Sequence, residues 1–209
     1  MSTLLKYSIA VIAGLLVVFF SIDINKTNQN TTATEKFDAV AYTADLWEKE
    51  MPAVAEKAPI ISELLDALLT DPEHAVSANG YKLGISKTVY FFAKGTGIVE
   101  SLDEENMWVT LVNGSRIRIA TDFIFGNAVR DGSGIVNIDD FLNMTDFNNV
   151  SVALNKLVKN NVVSGLKTEA KPAMRIDFAG AFELNETRVD LTAIRIIPVV
   201  ATLNPGPHE

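Results

Sequence analysis

Hydrophobic and polar positions divide the chain into four regimes. Residues 7–22 read YSIAVIAGLLVVFFSI without a charged side chain, and Leu4 and Leu5 carry the run across Lys6. About 20 residues at about 1.5 Å each reach about 30 Å, the depth of a hydrocarbon core. Backbone in lipid must satisfy its own hydrogen bonds, so the run predicts one transmembrane helix within residues 1–24. The run ends Val18-Phe19-Phe20-Ser21-Ile22, which lacks the small residues of a cleavage site, so the helix reads as an uncleaved signal anchor. Lys6 precedes it, which places the amino terminus in the cytoplasm and the bulk of the chain in the periplasm or outside. Residues 25–36, rich in Asn and Thr, read as a polar stalk.

Residues 37–80 have helical periodicity. Trp47, Met51, Val54, Ala55 and Ala58 make one stripe, with a kink or break expected at Pro52. Ile60, Ile61, Leu64, Leu65, Leu68 and Leu69 make a second. Asp71-Pro72 opens a short third helix that Asn79-Gly80 closes. The plain reading of these stripes is packing against a core.

After Gly80 the period changes to that of strands. Residues 89–93, 108–112 and 117–120 are rich in β-branched and aromatic residues, and Asn113-Gly114 marks a hairpin. Gly95 and Gly97 follow the first of these strands and read as a bulge or tight coil that helps a small sheet curl. Residues 134–138 read as a short extra strand. A helix follows at about 146–163, capped by Asp146, and then strands at 174–184 and 189–203, with Pro198 at an edge or bulge. Three strands, a helix and two strands are the order of a five-stranded oligonucleotide/oligosaccharide-binding (OB) barrel. The fold class expected is α+β, an OB-like β-barrel over 81–204 behind a helical layer over 37–80, with a tail at 205–209. A generic α+β sandwich is the alternative.

Composition narrows the function. The chain has 209 residues, no cysteine and two histidines, which removes disulfides, thiolate chemistry, lipid attachment at cysteine and a His-rich metal cluster. Net charge is −8, and Lys6 is the one charged side chain before Asp23, so the negative charge belongs to the body. Nucleic acid is therefore not the expected partner, and anionic lipid should repel the body as a whole. No cofactor is expected. His74 lies in a helical turn beside Glu73 without a serine elbow, so a solvated helix histidine is favoured over a triad member.

The stretch GNAVRDGSGIVNIDDF, residues 126–141, is the most distinctive. Asp131, Ser133, Asn137 and Asp140 fit part of a calcium loop, but Val129 stands at its first position and cannot ligate. A local turn in which Arg130 and Asp131 pair is the plain reading, and a ligand-contacting Arg130-Asp131 loop the functional one, since a guanidinium matches carboxylate, phosphate or sugar hydroxyls. Trp108 reads first as a barrel-lining residue and second as a stacking platform. The candidate ligand-binding residues are thus Arg130, Asp131, Gly95, Gly97 and Trp108, with no catalytic and no metal-binding residue assigned. Asp139 and Asp140 are the carboxylates of a third-ranked hydrolase reading.

Four motifs carry a resemblance: F-x-x-x-x-Y-x-x-x-x-W (Phe37, Tyr42, Trp47), G-x-G-x-V (Gly95, Gly97, Val99), the block holding Gly126, Ala128, Arg130, Asp131, Gly134, Asp139 or Asp140, and Phe141, and V-x-x-A-L-N (Val150, Ala153, Leu154, Asn155). Together they resemble the bacterial envelope family of predicted periplasmic lipoproteins, DUF2291. The resemblance implies an extracytoplasmic role beside ribose- or xylose-type ABC sugar importers, with transporter components and carbohydrate as partners. This chain departs from the family in lacking the lipid-bearing cysteine, which leaves the apolar helix as its anchor. The expectation is a membrane-anchored binding or adaptor protein, not an enzyme, with a structural envelope protein as the alternative.

Overall fold

Asp38 starts the helical layer. Its carboxylate accepts the backbone N–H groups of Val40 and Ala41 at 2.9 and 3.0 Å and caps α1, Ala39–Lys49. The helix breaks at Glu50, because Pro52 fits only a first turn; α2 restarts as Met51–Lys57. Thr43 and Leu46 are the buried residues of α1, and Trp47 is half-buried at the margin of that face rather than in the core. Helix α3, Ile61–Thr70, buries Ile61, Leu64, Leu65 and Leu68. Asp71 caps α4, Pro72–Asn79, and Gly80 follows its end; His74 is exposed.

The computed structural model describes residues 37–187 and 190–205. The expected anchor and stalk and the end of the tail lie outside the described residues. Among the described residues no helix is long and apolar enough to cross a membrane.

The strands are β1 (Gly80–Tyr81), β2 (Thr88–Leu102), β3 (Asn106–Leu111), β4 (Arg116–Ala120), β5 (Arg175–Asn185) and β6 (Arg195–Asn204). The order β1-β2-β3-β4-β6-β5 returns through a β2–β5 pairing, so five strands close a barrel and β1 hangs on β2. Closure removes the exposed edges of an open sheet. The seam β4–β6 is parallel and joins only Arg118 to Arg195 and Ile119 to Ile196; the other pairings are antiparallel. With the main helix between β4 and β5, this is the OB topology. Phe91 and Phe182 stack inside at 5.1 Å, among Met107, Val109, Ile117, Ile119, Ile176 and Ile196, all essentially inaccessible.

Four expectations are corrected. Gly95 and Gly97 lie within β2, not after it, and pairing to β5 is regular through both; the irregularity falls between Val99 and Ser101. Gly97 serves close approach: a Cβ there would meet Val109 and stand 2.6 Å from the Thr110 carbonyl oxygen. Residues 134–138 form no strand. Helix α5, Ala128–Ser133, ends at Gly134, whose φ of 68° turns the chain out of β geometry, and a 3-10 turn, Ile138–Asp140, follows. Asn143, not Asp146, caps α6, Met144–Val158; its side chain accepts the Asp146 N–H at 2.9 Å. Instead of ending at about 163, the helix passes through a π segment, Lys159–Val163, into α7, Ser164–Glu169. Pro198 sits in β6 opposite Gly180, beside the β5–β6 register shift, as a proline in a strand requires.

Candidate functional site on the barrel face

Met107 and Val109 face the core, so the pleat turns Trp108 outward. Trp108 therefore does not line the barrel. The hairpin at Asn113-Gly114 pairs it with Arg118, and Thr110 with Arg116. The Arg116 guanidinium lies 4.2 Å from the centre of the indole ring and that of Arg118 5.6 Å, both within cation–π range. Glu100 accepts from Arg116 Nε at 2.5 Å and from the Thr110 hydroxyl, and these bonds hold its carboxyl below the usual carboxylate range.

The β2–β3 turn adds a second fixed carboxylate. Asp103 accepts the N–H groups of Glu105 and Asn106 at 2.9 and 2.7 Å and the Trp108 indole N–H at 2.9 Å. The backbone bond from Glu105 is the leading cause of its lowered pKa. Asn106 accepts from Arg195 Nε at 2.7 Å, and Arg195 also donates to the Asp122 carbonyl at 2.6 Å. Burial draws Arg195 below its ordinary value, while the Lys167 ammonium at Asp122 lowers that carboxyl. One aromatic plate thus lies among oriented guanidinium and carboxylate groups on the outer face of β3 and β4. In OB barrels this face and the adjoining loop take saccharides and oligonucleotides. Arg116 covers the indole, so a sugar ring would stack on it only where that guanidinium swings aside to meet the sugar's hydroxyls.

Gly95 lies elsewhere. It lines a cleft of about 640 Å³ with Ala55, Ile60, Leu111, Phe178 and Val200, which Trp108 does not reach. Two of the cleft's charged groups are engaged: the Lys94 ammonium donates to the Glu56 carbonyl, and Asp177 accepts from Thr96, Arg175 and Asn204 at 2.5, 3.0 and 2.9 Å. The Thr96 bond is the main reason the Asp177 carboxyl is lowered.

Arg130 and Asp131 are not displayed. Arg130 is 2% exposed and makes a bidentate pair with Asp131 at 2.6 and 3.0 Å. It donates to the Phe147 carbonyl at 3.1 Å and to Asn148 at 3.3 Å, and its guanidinium lies 3.6 Å from the Phe147 ring centre. Phe147 meets Phe141, which meets Tyr42 of α1, with ring centres 5.4 and 5.7 Å apart. Asn155 donates to the Gly126 carbonyl at 2.9 Å, while Leu154 is fully buried. Much of the motif set is thus the joint between α1, α5 and α6. Both Asp131 oxygens are taken by Arg130, which leaves the partial calcium pattern without that ligand. Asp139 and Asp140 are exposed neighbours on the 3-10 turn.

The sequence reading missed Glu100, Arg116, Arg118 and Arg195. The signal for two of them was present: alternation across the Asn113-Gly114 hairpin puts Trp108, Thr110, Arg116 and Arg118 on one face.

The closed barrel with its helical layer defines an OB-fold protein. A crystal structure of an OB-fold protein from Thermotoga maritima matches at a TM-score of 0.72 and 24% identity, covering 81% of this chain and all of that one; at this identity the likeness establishes the fold alone. The family model described as predicted periplasmic lipoprotein (DUF2291) matches residues 11–202, and the chain belongs to that family. The curated proteins give no significant match.

Proposed function

We propose that this is a membrane-associated extracytoplasmic binding or adaptor protein accessory to an ABC-type sugar uptake system, and that carbohydrate is its ligand. The observation that carries the reading is the outward Trp108, held by Asp103 and overlaid by the side chains of Arg116 and Arg118, on the face where OB barrels take ligands. Titration of the full-length protein with ribose, xylose and their oligomers, followed by tryptophan fluorescence and calorimetry, tests it. Trp108→Ala should weaken binding at least about tenfold, about 1.4 kcal/mol, with the fold retained. No saccharide binding by the parent protein refutes the carbohydrate assignment.

The Gly95 cleft favours a second reading, an envelope interaction protein without a small ligand. Its wall is mostly apolar and its Lys94 and Asp177 are already bonded within the protein, which offers little to a sugar and more to a protein segment. Co-purification with a permease, lost on Val200→Arg and insensitive to sugar, would favour this reading.

A further inference from the structure

Two large aromatic side chains face solvent on the segment between β4 and α5: Phe123 is 58% exposed and Phe125 72%. Beside Phe125, α6 presents Val152, 68% exposed. Phe125 and Val152 line one groove of about 440 Å³, together with Lys156, Lys159 and Ser151. The segment is built, not frayed. Asn155 holds the Gly126 carbonyl at 2.9 Å, and Arg195 holds the Asp122 carbonyl at 2.6 Å. Asp122 accepts the Phe123 N–H at 2.9 Å and pairs with Lys167 at 2.5 Å. Phe123 has a φ of 50°, a conformation that bulky residues adopt only at a cost.

The charge here runs against that of the whole chain. Asp122 is matched by Lys167, and among the described residues neither Lys156 nor Lys159 forms an ion pair. The Ser151 hydroxyl is buried without a hydrogen-bond partner. Apolar and aromatic tips with two lysines alongside suit the boundary between acyl chains and anionic headgroups. On a protein of net charge −8, such a patch sets which flank can approach that boundary.

We infer that this flank docks on an anionic phospholipid bilayer. Phe123, Phe125 and Val152 enter the headgroup region, and Lys156 and Lys159 meet its phosphates. The contact is additional to any anchor and orients the barrel over the membrane.

The test uses the full chain with vesicles of phosphatidylcholine alone or with added phosphatidylglycerol, in which acyl chains carry bromine. Phe125→Trp reports contact by quenching, the parent's Trp47 and Trp108 give the baseline, and Val112→Trp at the exposed β3–β4 turn is the control. The added Phe125→Trp emission should be quenched about twofold or more beyond that of Val112→Trp with phosphatidylglycerol, and less in high salt. Lys156→Glu with Lys159→Glu should remove the difference. Equal quenching of the two reporters would overturn the docking. Quenching indifferent to phosphatidylglycerol or to the lysine reversals would overturn the assignment to anionic lipid.

Discussion

Arg130→Ala tests whether the most distinctive motif is a structural joint. The substitution removes a guanidinium that is 2% exposed and strands the Asp131 carboxylate, itself buried, without its two donors. Breaking one side of a buried pair costs about 3–5 kcal/mol, most of it the desolvated charge left behind. Lost contact with the Phe147 ring and carbonyl acts in the same direction. A domain of this size has about 5–15 kcal/mol to lose, so the variant should be severely weakened. Arg130→Met with Asp131→Leu removes both charges while keeping apolar volume, and should recover at least about 2 kcal/mol. Urea unfolding followed by far-ultraviolet circular dichroism measures all three proteins. A loss below about 1 kcal/mol for Arg130→Ala, or a double variant no more stable than the single one, would refute the buried-joint account.

Two further outcomes follow from the barrel. Gly97→Val should destabilise by about 1–3 kcal/mol or prevent folding, because the new carbon meets the backbone carbonyl of Thr110, a residue fixed in the β2–β3 ladder opposite Ile98; thermal denaturation matching the parent would remove the close-approach argument. Asp177→Asn should lower stability by about 1 kcal/mol at most near neutral pH, since the ion pair is solvent-screened. Because the folded-state pKa of Asp177 is depressed, its contribution is present above the unfolded value of about 4 and fades as pH falls through the folded one, so the two denaturation curves should converge in acid.

The barrel was legible because its punctuation is local: Asn113-Gly114 turns, Asp71-Pro72 starts a helix, and the strand order needs no tertiary knowledge. What failed depended on phase or burial. Trp47 sits one position off the buried face that Thr43 and Leu46 define. Gly134 precedes Ile135 and Val136, which spell a strand, yet its positive φ closes α5 instead. Adjacent Arg130 and Asp131 resemble a solvated pair on paper, and only packing against Phe147 reveals them as interior. Arg195 reaches Asn106 across 89 positions of sequence, a distance no local pattern encodes.

The narrow parallel seam between β4 and β6 has a mechanical consequence. Its two registered pairs make it the weakest line of the cylinder, where transient splitting should begin and amide protons should exchange soonest. Arg118 stands on one lip and Arg195 on the other. A solute gripped by both would act as a rivet, so occupancy outside the wall would stiffen the wall itself.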